Sequence, residues 1–131
     1  DYRDYDGVKP PQELNVGGSY EIFRDMLFKG YENAIKMLKE NCFFAIMVGD
    51  SRDPKTGEYY CMEAETEVFL KQQGLKVYNR IVYLESQFTR AMQTKATIKS
   101  RKIPKCEQKI ILAYKGDTNN INALYEDIGR L

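Results

Sequence analysis

The chain has 131 residues, of which 43% are hydrophobic and 12% aromatic, which is enough to bury the core of one domain. Its 20 Lys and Arg residues nearly balance its 19 Asp and Glu residues, so net charge alone predicts no polyanionic partner. The absence of histidine excludes Ser-His-Asp and Cys-His nucleophiles and histidine-ligated zinc, and no stretch suits a signal peptide or a membrane span, so we expect a cytoplasmic protein.

The first half of the chain predicts a loop, a helix and a strand. Residues 1–18 include two adjacent prolines and three glycines, which is typical of a surface loop. A helix is expected to begin at the N-cap Ser19, since apolar residues recur at helical spacing as far as Leu38, and Asn41 suits a left-handed C-cap. The apolar run Cys42–Val48 predicts a strand covered on both faces, as in the interior of a parallel sheet.

The second half predicts a helix, two strands and a terminal helix. The second helix of the chain is expected over residues 60–73 and should end at Gly74. Four of its side chains are expected to be buried: Cys61, Met62, Thr66 and Phe69. Residues 75–85 are rich in β-branched and aromatic side chains, which favours a strand, and a further strand is expected over 108–114. Helical spacing over 120–131 predicts a short terminal helix.

This element order predicts a single α/β domain over residues 1–131. The strand, helix and strand within 19–85 make one right-handed βαβ unit, and the last strand, within 108–131, is expected to run antiparallel to its neighbour. Three strands leave a small sheet with an open edge, so we expect an absent N-terminal part or a partner chain to supply further strands. The cysteines form no paired motif and are expected to be reduced and buried: Cys42, Cys61 and Cys106.

The polar residues at the end of the first strand are the first candidate site. Open α/β sheets place ligands at the carboxyl ends of their strands, and Gly49 and Asp50 lie at such an end. Asp50 is therefore either a wall of a ligand pocket or the cap of the following turn. For Arg52 and Asp53, a local ion pair that shapes the loop is the more common role of such neighbours.

The second candidate site is the long segment 86–107, which lacks helical and strand periodicity. A loop of this length inside a compact domain is usually functional or disordered. The segment contains six cations and only one carboxylate, an excess of positive charge that predicts contact with nucleic acid. The cations are Arg90, Lys95, Lys99, Arg101, Lys102 and Lys105. Tyr2 and Tyr5 are candidates for base stacking, although loop tyrosines more often pack against the domain.

Four short motifs follow one another along residues 19–117. They are Ser-Tyr-Glu-Ile-Phe at 19–23, Val-Gly-Asp-Ser-Arg-Asp at 48–53, Gly-Leu-Lys-Val-Tyr-Asn at 74–79, and Ser-Arg-Lys at 100–102 before an apolar strand ending in Lys-Gly. Their order and spacing resemble those of the amino-group DNA methyltransferases of phages and bacteria. Where that family has a histidine before the last strand, this chain has Cys106.

The resemblance implies the C-terminal half of a class I, Rossmann-like methyltransferase sheet, in the order helix, strand, helix, strand, long loop and antiparallel strand. It also implies S-adenosylmethionine as methyl donor and double-stranded DNA as partner, as in restriction-modification, with the exocyclic amine of a flipped-out adenine or cytosine as acceptor. Asp50 would then line the pocket, and Arg52 would join the basic loop in holding phosphates.

The chain lacks two motifs of that family, the Phe-x-Gly-x-Gly cofactor loop and the Asp/Asn-Pro-Pro-Tyr/Phe/Trp catalytic motif. We therefore expect a fragment that is inactive alone, whose S-adenosylmethionine is bound mainly by residues outside this chain. Two other interpretations stay open. One is a non-catalytic Rossmann-like module that binds nucleic acid or completes a partner's sheet, and the other is a fragment of an RNA methyltransferase.

Overall fold

The computed structural model of the protein describes residues 19–86 and 97–125. The chain divides into two compact units, Asp1–Lys39 and Glu40–Leu131, and each is described by itself. Within the described ranges, no helix has both the length and the apolar composition that crossing a membrane requires. The predicted loop over 1–18 lies outside the described residues, and the single domain over 1–131 stays a prediction.

The described part of the first unit is the helix α1 (Tyr20–Met37). Ser19 is its N-cap, as predicted: its Oγ accepts a hydrogen bond from the Ile22 amide at 3.4 Å and satisfies one free amide of the first turn. Leu38 is the C-cap. The prediction of Asn41 for that role is wrong, because the helix ends earlier. Asn41 does adopt the left-handed region, with φ of 61°, but directly before the first strand.

The second unit contains a three-stranded sheet in the order β1-β3-β2, formed by β1 (Cys42–Val48), β2 (Lys76–Leu84) and β3 (Glu107–Lys115). The strand β3 is antiparallel to both neighbours, which confirms the predicted direction of the last strand. Because β3 lies between them, β1 and β2 run in the same direction without pairing. The predicted βαβ unit therefore has an antiparallel strand inserted between its two strands.

The two faces of this sheet differ in burial. One face carries the core residues of the two paired strands: Ile46, Val48, Ile111 and Ala113. On the other face of β1, Ala45 is exposed and Met47 is 52% exposed. β1 is an edge strand of the described sheet, and its side chains alternate between surface and core only over residues 45–48, whereas those of 42–44 are half-buried. The predicted cover on both faces is therefore wrong for residues 45–48.

The helix α2 (Met62–Gln72) connects β1 to β2 and buries three side chains: Met62, Thr66 and Leu70. The predicted burial of Cys61 is wrong, because this free thiol precedes the helix and is exposed. Phe69 is only half-buried, since the buried stripe passes through the neighbouring Leu70. Gly74, with φ of 83°, closes the helix as predicted.

Aromatic side chains pack together at the end of the sheet where β1 begins and β3 ends. A glycine follows β3 at a position that has no room for a side chain. The Phe43 ring contacts three tyrosine rings at centroid distances of 5.8, 4.9 and 5.6 Å, those of Tyr78, Tyr114 and Tyr125. After β3, Gly116 has φ of 134°, and an added Cβ would lie 2.6 Å from Asn41 Oδ1, so a side chain there would clash.

The described chain ends in a 3-10 turn, Thr118–Asn120, and a short helix, α3 (Ile121–Leu124). The Ile121 side chain is buried against the unit. The start of the predicted terminal helix is thus present, whereas residues 126–131 of that prediction lie outside the described ranges.

Candidate functional site

The residues that follow β1 form the candidate site, at the carboxyl end of that strand. Asp50 Oδ1 accepts a hydrogen bond from the Met62 amide at 2.9 Å. This carboxylate satisfies a free amide at the start of α2, where Cys61 provides no side-chain capping bond, and its charge complements the positive end of the helix. Asp50 therefore fixes the end of β1 to α2. The role of Asp50 as a pocket wall stays a prediction.

Residues 51–60 form a small hairpin beyond that point. Arg52 and Tyr59 make an isolated antiparallel bridge. The Asp53 carboxylate closes the turn by accepting hydrogen bonds at 2.6 and 3.0 Å from two backbone amides, those of Lys55 and Thr56. These amides lower the pKa of Asp53. The hairpin is thus held by contacts between its own residues. Its bridge residues, Arg52 and Tyr59, line the same cleft as Asp50.

Arg52 is held by two contacts within this hairpin. Its Nη1 donates to the Gly57 carbonyl oxygen at 2.9 Å, and its Cζ lies 3.6 Å from the centre of the Tyr59 ring, a cation–π arrangement. The predicted ion pair between Arg52 and Asp53 is wrong. Adjacent residues of an extended strand direct their side chains to opposite sides, and the Asp53 carboxylate accepts from the amides of Lys55 and Thr56 instead.

The described part of the basic segment, residues 97–107, reaches the same hairpin. The Lys102 amide donates to the Thr97 carbonyl at 2.9 Å, closing a turn in which Arg101 has φ of 53°. This turn brings the Lys102 side chain against Gly57: a Cβ added to that glycine would lie 3.1 Å from Lys102 Nζ. The basic segment therefore contacts the hairpin at Gly57.

Lys105 is bound in a different way from Lys102. Its Nζ lies 3.2 Å from the Asp50 carbonyl oxygen and 3.3 Å from Glu63 Oε1 on α2. This half-buried ammonium group therefore ties the basic segment to both the end of β1 and the start of α2.

The hairpin and the basic segment enclose a cleft of about 240 Å³. Its lining includes an aromatic ring, a carboxylate and three cations, namely Tyr59, Asp50, Arg52, Lys102 and Lys105. Positive charge exceeds negative charge in this lining, and the walls are partly apolar. A cleft of this composition can hold an anionic group beside an aromatic ring.

A second cleft, of about 310 Å³, lies between α2 and the sheet on the other side of Asp50. Its charges are matched within the protein: the Arg80 guanidinium hydrogen-bonds the Glu67 carboxylate at 2.5 and 2.7 Å and lowers its pKa. Among the residues in the described ranges, no group of three His, Cys, Asp or Glu side chains is placed to hold a metal ion. The Arg80–Glu67 pair beside this second cleft therefore attaches α2 to β2.

The structure brings together part of the predicted site. Four of the residues predicted from the sequence line the first cleft: Asp50, Arg52, Lys102 and Lys105. Lys99 and Arg101 are exposed on the same segment and do not line the cleft. The remaining candidates lie outside the described residues: Arg90, Lys95, Tyr2 and Tyr5. Sequence reasoning missed Tyr59, although the turn centred on Gly57 was a signal, because a tight turn brings its flanking residues together.

No family model and no curated protein matches the sequence. Among solved structures, the chain is similar to the crystal structure of a candidate DNA modification methylase from Thermus thermophilus, with a TM-score of 0.58 and 18% sequence identity. The match covers 85% of this chain and 41% of that chain, so the present chain spans less than half the length of that protein. At this identity the likeness shows the fold alone: the chain has a methyltransferase-like fold.

Proposed function

We propose that the chain is part of a DNA methyltransferase that transfers a methyl group from S-adenosylmethionine to the exocyclic amine of a flipped-out adenine or cytosine. The likeness of its fold to a candidate DNA modification methylase supports this proposal. So does the order of the sequence motifs along residues 19–117. On this proposal, the described sheet is the C-terminal half of a class I methyltransferase sheet.

The cleft beside Asp50 is the observation that carries the proposal toward DNA. It lies at the carboxyl end of β1, where α/β sheets place their ligands, and Arg52, Lys102 and Lys105 are in its lining. Arginine and lysine side chains position DNA by contacting its backbone phosphates. We propose that the other cations of the segment extend this surface along the duplex: Arg90, Lys95, Lys99 and Arg101.

The cleft beside Asp50 does not suit the sulfonium group of the methyl donor. S-adenosylmethionine carries a positive sulfonium group, which the Arg52 and Lys102 charges of the cleft would repel. The chain also contains no Phe-x-Gly-x-Gly sequence. We therefore propose that the methyl donor is bound mainly by residues elsewhere in the full-length protein.

Asp50 is proposed as one wall of the methyl-transfer pocket. Its Oδ1 is engaged by the Met62 amide, and the residue lines the cleft. By fixing the end of β1 to α2, Asp50 would hold this wall in place while the target base is bound.

The test is transfer of labelled methyl groups from S-adenosylmethionine by the full-length protein to unmethylated duplex DNA, with duplex RNA of the same sequence in parallel. We expect label in the DNA, recovered after hydrolysis as a base methylated on its exocyclic amine. Label in RNA alone would favour an RNA methyltransferase. The absence of label from both nucleic acids would contradict the proposed methyl transfer.

A non-catalytic module that binds nucleic acid is the second candidate. One observation favours it: the basic cleft is formed entirely by residues of this chain, whereas the cofactor and catalytic motifs of the family do not occur in its sequence. Retained DNA binding by a full-length protein that transfers no methyl group would support this candidate over the methyltransferase.

A further inference from the structure

Two positive charges of the first cleft approach the same glycine. The Arg52 guanidinium donates to the Gly57 carbonyl oxygen at 2.9 Å, and Lys102 Nζ lies 3.1 Å from the position of a Cβ on Gly57. The two cations come from segments that are distant in sequence and are brought together only by the fold. An anion bound beside Gly57 would be attracted by both cations. This juxtaposition favours an anionic ligand.

The other charged groups of the cleft are already engaged. Lys105 pairs with Glu63 at 3.3 Å and bonds the Asp50 carbonyl oxygen. The Asp50 carboxylate caps α2 through the Met62 amide, where the positive end of the helix offsets its charge. Among the described residues, no carboxylate pairs with Arg52 or Lys102. Arg52 and Lys102 are therefore the two cations of this lining that lack a carboxylate partner among the described residues.

The Arg52 guanidinium is also preorganised. The Tyr59 ring packs against it at 3.6 Å, and the Gly57 carbonyl fixes Nη1, so the group loses little conformational freedom when it binds. Its remaining N–H groups have no partner within the described ranges. A fixed guanidinium matches phosphate oxygens with paired N–H donors, and the Lys102 ammonium adds a compact charge beside it.

We infer that Arg52 and Lys102 form one binding site for a single phosphodiester group of duplex DNA, bordered by the Tyr59 ring; we call this the phosphate seat. The choice of DNA rests on the proposed function, whereas the pairing of the two cations rests on their approach to Gly57. Lys105 has a different role, which is to join the basic segment to α2.

The test is equilibrium binding of the full-length protein to a short DNA duplex, measured across a salt titration. The logarithm of the binding constant falls with the logarithm of the salt concentration, with a slope set by the number of phosphates contacted. The variants are Arg52→Gln, Lys102→Gln and the double substitution. The matched control is Lys55→Gln, which removes the same charge from an exposed position in the same hairpin that does not line the cleft. Thermal unfolding of each variant checks that it is folded.

We expect each single substitution to weaken binding, and the double variant to lower the slope by about one, the value for loss of one phosphate contact. Lys55→Gln should bind like the wild type. Arg52→Lys, which keeps the charge but loses the planar fork, should not restore wild-type affinity. A fall of about two in the slope of the double variant would indicate two separate phosphates. That result, or wild-type binding by both single variants, would overturn the phosphate seat.

Failure of the seat and failure of the proposed function give different results. A full-length protein that binds DNA with the expected slopes but transfers no methyl group keeps the phosphate seat and loses the methyltransferase. One that methylates DNA while both single variants bind normally keeps the methyltransferase and loses the seat. A full-length protein that binds no duplex DNA, or variants that lose affinity only for duplex RNA, also overturn the seat.

Discussion

Asp50 links two elements through a single side-chain hydrogen bond. Its Oδ1 accepts from the Met62 amide at 2.9 Å, and Cys61 supplies no alternative cap. Asp50→Ala leaves that amide without its partner and should lower the free energy of unfolding by about 1 kcal/mol, measured by urea denaturation. Asp50→Asn keeps an acceptor oxygen and should lose less. Wild-type stability in the Ala variant would contradict the capping role.

Glu67 makes stability depend on pH. The Arg80 guanidinium hydrogen-bonds its carboxylate and lowers its pKa below the ordinary value of 4.5. A lowered folded-state pKa contributes stability that is present above the unfolded-state pKa and is lost as the pH falls through the folded-state value. Glu67→Gln should therefore lose less stability than the wild type when the pH falls from about 7 to about 3, measured by urea denaturation at both values.

The exposed Glu58 provides the control for that measurement. The Glu58 carboxylate makes no side-chain ion pair within the described ranges. Glu58→Gln should keep the loss of stability seen in the wild type on acidification. If Glu67→Gln behaves in the same way as this control, its pair with Arg80 contributes nothing to the pH dependence.

At the scale of the secondary-structure elements, the helix α2 contains a buried hydroxyl group that no described residue hydrogen-bonds. Thr66 is fully buried, and its Oγ1 has no hydrogen-bond partner among the described residues. Thr66→Val exchanges the hydroxyl for a methyl group of similar size and should raise the free energy of unfolding by about 1 kcal/mol. Chemical denaturation measures the change. Thr66→Ser, which keeps the hydroxyl, should not be stabilised; a Val variant less stable than the wild type would contradict the prediction.

The sequence predicted the bounds of β1 because its apolar run ends abruptly in polar residues. It did not predict that β1 is an edge strand, since the neighbours of a strand depend on pairings between distant residues. The start of α2 was predicted two residues too early, because Tyr59 and Tyr60 belong to the preceding hairpin. Local patterns thus determined the elements, whereas long-range pairing determined their order in the sheet.

The candidate site was predictable to a similar extent. The strand-end rule located Asp50 and Arg52, and charge composition located Lys102. Their convergence was not predictable, because it depends on a turn that places Lys102 beside Gly57 and in which Arg101 takes a left-handed conformation. A non-glycine residue with positive φ has little signal in the sequence.

At the scale of the whole molecule, the described sheet has three strands, and β1 lies at one edge of it. Small sheets with edge strands favour the addition of further strands. We propose that another part of the full-length protein, or a partner chain, completes the sheet there. The chain covers 41% of the methylase whose fold it resembles.

The most direct test of the central claim, that DNA lies in the cleft at the carboxyl end of β1, is photo-cross-linking. The full-length protein is irradiated with duplex DNA that contains bromodeoxyuridine, digested, and mapped by mass spectrometry. We expect cross-linked peptides from residues 51–60, where Tyr59 is 41% exposed, and from residues 97–105. Cross-links confined to peptides outside both segments would contradict the claim.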